Sequence, residues 1–400
     1  MFKGLEKIWL AGCLGLLVST GVMAQNDRDL FTLETLVTDT SEATRAQAAN
    51  ELLRTLLVRI SGSREILDLF PPEQGVIDEN LVEEVSADQQ ALWDRLSSAQ
   101  RWVSQYRYQS TREILITEAG REVMAQQLTL TFDPAGIHAL LNELGQPIWD
   151  AKRPRILLWL ALEGRQGRYL ITQQSNPELA NHLNQLAQER GLPLVLPDLQ
   201  RHPVSNTLLS DVWGGFLSQV QEASQPYEAD IVALARIRPV AGQWEVHWEL
   251  NGSLDQALQR LTATSLGEAL DLGIDYTART LAARYATTPS QEVRRYRLAI
   301  AGIELLNDYA QLQAYFDRLV MAEQIQLLQA DDDQLLIEVK AASGLSQLRA
   351  NMALEPRWQE VSSAQWQQRL AQQQSLSTAT SSSASSLSEA DAYFVWRAER

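Results

Sequence analysis

The apolar residues Ala49, Leu52, Leu53, Leu56, Leu57 and Ile60 recur at the three- and four-residue steps of a helix face, so a helix is predicted that opens at Ser41 and stops at Gly62. The run "LFTLETLVTD" (30–39) before it reads as a strand. A second helical stretch, from about Ala87 to Ala99, leads to two alternating runs, "WVSQYRYQSTREILIT" and "EVMAQQLTLTFD", with residues 118–121 as their turn. Asp133-Pro134 then starts a short helix reaching Leu144, with proline at its first position.

Beyond Lys152-Arg153-Pro154 the pattern changes. "RILLWLAL" (155–162) is the near-continuous apolar run of a strand buried on both faces. A helix follows, capped by Asn176, with Pro177 first in it, Leu179, Leu183 and Leu186 along one face and Gly191 at its end. "LPLVLPDL" reads as a strand, residues 211–223 as a helix, and "DIVALARIRPVAGQWEVHWELNG" as a hairpin turning at Ala241-Gly242. A helix from Ser265 to Tyr285 closes this β-α-β-α-β-β-α unit, which implies a mixed sheet with helices packed on it.

After Pro289 a smaller unit begins. "RRYRLAIAGI" is a strand and residues 308–320 a helix; "EQIQLLQA" and "QLLIEVKA" pair across Asp331-Asp332-Asp333, and residues 345–354 form a helix. This β-α-β-β-α order is ferredoxin-like. From residue 363 the chain turns to Gln and then to "SLSTATSSSASSLS", the composition of a disordered Ser-rich tail and linker, before ending in "ADAYFVWRAER". The fold class expected is therefore α+β and multi-domain: an N-terminal α+β unit (25–150), a central mixed-sheet α/β unit (151–288), a ferredoxin-like unit (289–362) and a low-complexity tail with an aromatic tip (363–400). A chain of 400 residues exceeds what one hydrophobic core organises.

Composition adds an address. Lys3 and Lys7, the apolar run Ile8 to Val22 and the small-residue site Val22-Met23-Ala24 before Gln25 have the layout of a cleaved secretory signal, residues 1–24. The only cysteine, Cys13, lies in "LAGC", the order that precedes a lipidated thiol; a lipoprotein anchored through Cys13 is the alternative to a soluble periplasmic chain starting at Gln25. Either way no integral membrane span is expected in the mature chain, and after cleavage at Ala24 it would hold no cysteine for a disulfide or a thiolate site. Fifty acidic residues against 34 basic give a formal charge of −16 without a basic block, which argues against nucleic acid as a partner.

The sequence pattern carries a resemblance. An export signal, "TDTSEATRAQAANELLRTLLVRISG", "RPRILLWLAL" and "RYRLAIAGI" resemble, up to about residue 362, the secreted proteobacterial family called domain of unknown function twenty-sixty-six. That family has no assigned activity and no functional residues to carry over. More remotely, the Ala- and Leu-rich helix ending in Ser61-Gly62 and the unit after it are similar to the curli-secretion, TolB amino-terminal and flagellar-assembly-T envelope proteins, an analogy of fold that implies assembly rather than catalysis.

Candidate chemistry is sparse. His138, His182, His202 and His247 show no metal-ligand spacing, no nucleophile elbow or nucleotide loop occurs, and no cofactor is implied. "WEVHWEL" puts Trp244, Val246, Trp248 and Leu250 on one face of a strand and Glu245, His247 and Glu249 on the other. The tryptophans read as core or, more weakly, as an aromatic platform for a sugar such as peptidoglycan, and the charged row as the wet face of a sheet. The cluster Tyr393, Phe394, Val395 and Trp396 is a candidate partner-binding tip suited to strand addition; docking on its own third unit and an idle tail are the other readings. The function expected is a non-catalytic periplasmic adaptor or assembly factor binding envelope proteins; the alternative is an envelope hydrolase or a glycan-modifying or peptidoglycan-binding protein using an unrecognised carboxylate pair.

Overall fold

The computed structural model describes residues 30–71, 86–117, 119–149, 152–252, 257–288, 292–376 and 390–397. The predicted signal, Cys13 and Ala24 lie outside them. Among the described residues the fold is α+β, with three sheets in three successive units.

In the first unit, β1 (Thr32–Val37), β2 (Val103–Ile116) and β3 (Glu122–Phe132) form an antiparallel sheet of order β1-β3-β2. Helix α1 (Glu42–Ser61) packs on it through Leu53, Leu56, Leu57 and Ile60, against Leu128, Leu130 and Phe132. Its ends follow the local chemistry: the Ser41 hydroxyl accepts from the Thr44 N–H, and Gly62 takes the left-handed conformation at φ 73°. Helix α2 (Ala87–Leu96) ends before Ala99, because residues 99–102 tighten into a 3-10 turn. Helix α3 (Pro134–Glu143) starts at Asp133, whose carboxylate accepts from Ala135 and Gly136 N–H.

The central unit holds β4 (Ile156–Gly164), β5 (Gly167–Ile171), α4 (Pro177–Glu189), β6 (Leu194–Val195), α5 (Leu208–Gly214), α6 (Leu217–Ser224), β7 (Ile231–Val240), β8 (Gln243–Gly252), β9 (Ala257–Ala263) and α7 (Leu266–Tyr285). The sheet order is β5-β4-β7-β8-β9, with the two-residue β6 alongside β4. The β4–β7 and β4–β6 pairs are parallel and the rest antiparallel. Two elements exceed the sequence reading: β5 is a short, mostly exposed return from β4, and β9 buries alternate residues only partly, so neither announces itself as an apolar run. The single helix expected over 211–223 is two, broken where Gly215 takes φ 73°. The hairpin turns at Ala241-Gly242 as expected, both at positive φ.

The third unit comprises β10 (Arg294–Ala301), α8 (Leu306–Phe316), β11 (Ala322–Asp331), β12 (Gln334–Ala341), α9 (Leu345–Ala353), β13 (Trp358–Val361), α10 (Ser363–Leu376) and β14 (Ala392–Trp396). Here the sequence reading needs its largest correction. The unit does not stop at residue 362, and the stretch expected to be linker from residue 363 opens with a helix. Residues 363–376 are a helix, with Trp366 buried against Ala299, Ala301 and Leu336. The Gln-rich composition misleads because glutamine is a good helix former. Residues 377–389 lie outside the described ones.

The sheet order β11-β12-β10-β14-β13 places the last strand between β10 and β13. In it, β14 runs parallel to β10 and antiparallel to β13. Gly302, at φ 87°, makes room for this, since a Cβ there would stand 2.4 Å from the Trp396 carbonyl oxygen.

The units touch. Ile148 and Thr287 form a bridge, and Arg153 Nη2 donates to Arg59 O at 2.8 Å. Asn351 Nδ2 donates to Tyr285 O at 3.0 Å, and Lys152 Nζ lies 2.7 Å from Glu355 Oε2. Burial pushes the Glu355 carboxyl up, but hydrogen bonds from Arg357 and Lys152 and their charges outweigh that and hold it below its ordinary value. A depressed acid contributes stability that is present at neutral pH and lost as pH falls through its folded value, below about 4.5. Melts of the wild type and of Glu355→Gln are therefore expected to differ at neutral pH and to converge in acid; a gap of the same size at both would contradict this.

Among the described residues no helix is long and apolar enough to cross a membrane.

Candidate functional site

Trp248 is fully buried, packed on α7, with its Nε1–H donating to Thr277 Oγ1 at 2.9 Å. The fit is close: a Cβ at Gly273 would lie 2.2 Å from two atoms of its ring. Trp244 is half-buried against the same core. Sugar stacking needs an open ring face, which Trp248 lacks, so the aromatic-platform reading of the Trp244 and Trp248 pair is corrected to core packing at Trp248.

For the aromatic tip, docking on its own third unit is the reading the strand follows, and the partner-binding reading is corrected. Tyr393, Phe394, Val395 and Trp396 belong to β14, which is paired on both edges and covered on both faces. Phe394 is 1% and Trp396 2% exposed, and the Trp358 ring sits 5.7 Å and 4.7 Å from theirs. On the other face Tyr393 lies 5.5 Å from Trp366. Such a strand has no surface left for a partner while it stays in place. The segment docks on its own unit because alternation gives it two apolar faces, each with a layer to meet.

Two exposed features remain among the described residues; the first is not read from the sequence, and part of the second, Glu245, His247 and Glu249, is read there as the wet face of a sheet. The first is the outer end of the β2–β3 hairpin. Ile114 stands opposite Met124, Ile116 opposite Glu122, and paired residues share a face. Ile114, Ile116 and Met124 are 62%, 72% and 61% exposed, so they form one apolar patch on a two-stranded arm. The alternation in "REILIT" carried the signal, but it reads equally well as the buried face of a strand.

The second is the face of the central sheet turned away from α7. Glu245, His247 and Glu249 lie there, as expected from alternation. Arg236, His247 and Arg260 stand side by side on three adjacent strands. The Arg238 Nε–H donates to Glu245 Oε2 at 2.6 Å, and Glu245 is 3.4 Å from His247 Nε2. The hydrogen bond from Arg238, then that from His247, holds the Glu245 carboxyl below its ordinary value. Arg236 Nη1 donates to Trp213 O at 2.9 Å, and the Arg168 guanidinium lies 4.1 Å from the centre of the Trp213 ring. A depression of about 180 Å³ is lined by Trp213, Arg236, Arg238 and His247.

Larger grooves border β1. One of about 620 Å³ lies between β1, α1 and α4, with Glu34, Glu51, Glu189 and Arg59 on its walls. Arg59 donates to the carbonyls of Leu30 and Thr32, and burial lowers its guanidinium to about 10. Asp331-Asp332-Asp333 is a turn, with Asp332 at φ 53° and Asp333 paired with Arg369 at 2.7 Å. Among the described residues no three His, Cys, Asp or Glu side chains gather as a metal site.

A family described as a domain of unknown function (DUF8605) matches residues 73–150. The match takes in α2, the β2–β3 arm and α3. No curated protein and no solved structure matches the chain.

Proposed function

We propose that this protein is a non-catalytic adaptor or assembly factor of the cell envelope, exported by a signal cleaved after Ala24 and working by binding other envelope proteins. The apolar patch Ile114, Ile116 and Met124 at the outer end of the β2–β3 hairpin carries this reading. Exposed apolar clusters on folded proteins are usually interaction surfaces, and a two-stranded arm presents one without disturbing the core behind it. The patch lies inside the stretch that matches the family, and the resemblance in sequence pattern to secreted and assembly-type envelope proteins supports the same reading.

The test is affinity capture of the tagged mature protein from crosslinked cells, alongside Ile114→Ser/Met124→Ser. Both side chains are exposed, so the variant is expected to melt within about 0.5 kcal/mol of the wild type. Recovery of specific envelope proteins by the wild type, reduced about tenfold or more in the variant, is the expected result. No partner above background, or equal recovery by both, would overturn it.

A further inference from the structure

On the central sheet, α5 and α6 cover only part of the face opposite α7. Leu208, Val212 and Val220 pack on Leu157, Trp159, Val232 and Leu234, which belong to β4 and β7. The outer strands on that face, β8 and β9, present charged groups instead. In a chain with 16 more acidic than basic residues, Arg236, His247 and Arg260 stand in one row across this face.

We propose that this open face is a docking site for an acidic, extended segment of a partner protein, its carboxylates held by the Arg236–His247–Arg260 row. The proposal rests on the adaptor reading and names a partner chemistry for it. The three residues are in register across β7, β8 and β9, so at about 4.8 Å between strands the two guanidinium stems start roughly 10 Å apart. Carboxylates two residues apart on an extended chain are separated by about 7 Å, and arginine side chains are long enough to close the remainder.

The charge count favours an anion. Arg168 is 3.5 Å from Glu163 and Arg238 is held by Glu245, so these pairs are internally balanced. Arg236 and Arg260 have no carboxylate partner among the described residues, and the remaining acid of the face, Glu249, is buried. At one end of the row, Trp213 and the 55%-exposed Phe216 offer an apolar contact for a neighbouring side chain. Guanidinium groups suit this task because their fork matches both oxygens of a carboxylate.

The experiment uses the full mature chain and a fluorescein-labelled peptide, GFEVEVG, with GFQVQVG as its uncharged counterpart, read by anisotropy. The acidic peptide is expected to bind, to weaken steeply with added salt, and to lose about tenfold or more in affinity to Arg236→Gln/Arg260→Gln. Arg279→Gln, on α7, is expected to change nothing. Equal binding of the two peptides, or of the double variant and wild type, would overturn the proposal. So would competition by inorganic phosphate as effective as by the peptide, which would mark a small-anion site. The capture experiment separates the two readings. Partners recovered equally by the double variant would sink the acidic-segment site and leave the adaptor reading standing, whereas recovery of no partner would sink the adaptor reading itself.

Discussion

Ending the chain at residue 389, just ahead of β14, is expected to unfold the third unit while the first two stay folded. The strand contributes Ala392, Phe394 and Trp396 to the core under α8 and α9, and Tyr393 to the layer under α10. Truncating one buried Phe or Trp to alanine costs about 3–5 kcal/mol, so losing both matches much of the roughly 5–15 kcal/mol that holds a typical domain. The sheet also comes apart, since β13 pairs with β14 alone and β10 would be left with an open edge. Hydrogen exchange should show protection lost across residues 292–376 and kept in the central unit. A peptide of residues 389–397 added in trans should restore it, because the slot between β10 and β13 is specified by backbone pairing and two aromatic pockets. Protection in the third unit unchanged by the truncation would refute the strand's role. The milder Phe394→Ala is expected to cost about 3–5 kcal/mol in a denaturant melt.

The other large effect is expected at Arg153, which lies where the first two units join and is 8% exposed. Its guanidinium donates to four backbone carbonyls: Arg190 and Gly191 through Nη1 at 3.0 and 3.2 Å, and Arg59 and Trp149 through Nη2 at 2.8 and 3.3 Å. It also stacks 4.2 Å from the centre of the Trp149 ring. One side chain thus ties the end of α1, the connection between units and the loop after α4. Arg153→Leu keeps much of the apolar stem but strips those carbonyls of this donor, at an expected cost of about 3–5 kcal/mol, since each buried carbonyl left unsatisfied costs about 1–3 kcal/mol. Arg153→Lys should recover only part, since an ammonium cannot span four acceptors in one plane. Because the side chain couples two units, its loss should also split the unfolding of the first and second units into separate steps. A single transition within about 1 kcal/mol of the wild type would show that Arg153 is not the pin.

Elements whose signals are local can be read from the chain alone. Helix α1 was legible from Ser41 to Gly62 because cap, apolar period and stop all lie within about twenty residues. The β7–β8 turn at Ala241-Gly242 and the inward face of Trp248 followed from alternation in the same way. Tertiary structure alone decided what depends on partners far along the chain. "AYFVW" is apolar on both alternating faces, yet nothing within it says that its neighbours are Leu298 and Trp358, tens of residues upstream, or that it enters between them. Trp366 was lost in glutamines until Ala299 and Leu336 gave it a surface to cover. The Arg236–His247–Arg260 row exists only through the register of three strands, and a slip of one residue would turn His247 to the core face and dissolve it. Local propensity writes strands and helices into a chain, but the juxtapositions that make a binding face are set by long-range pairing, where one face of a strand finds a core and leaves the other to solvent.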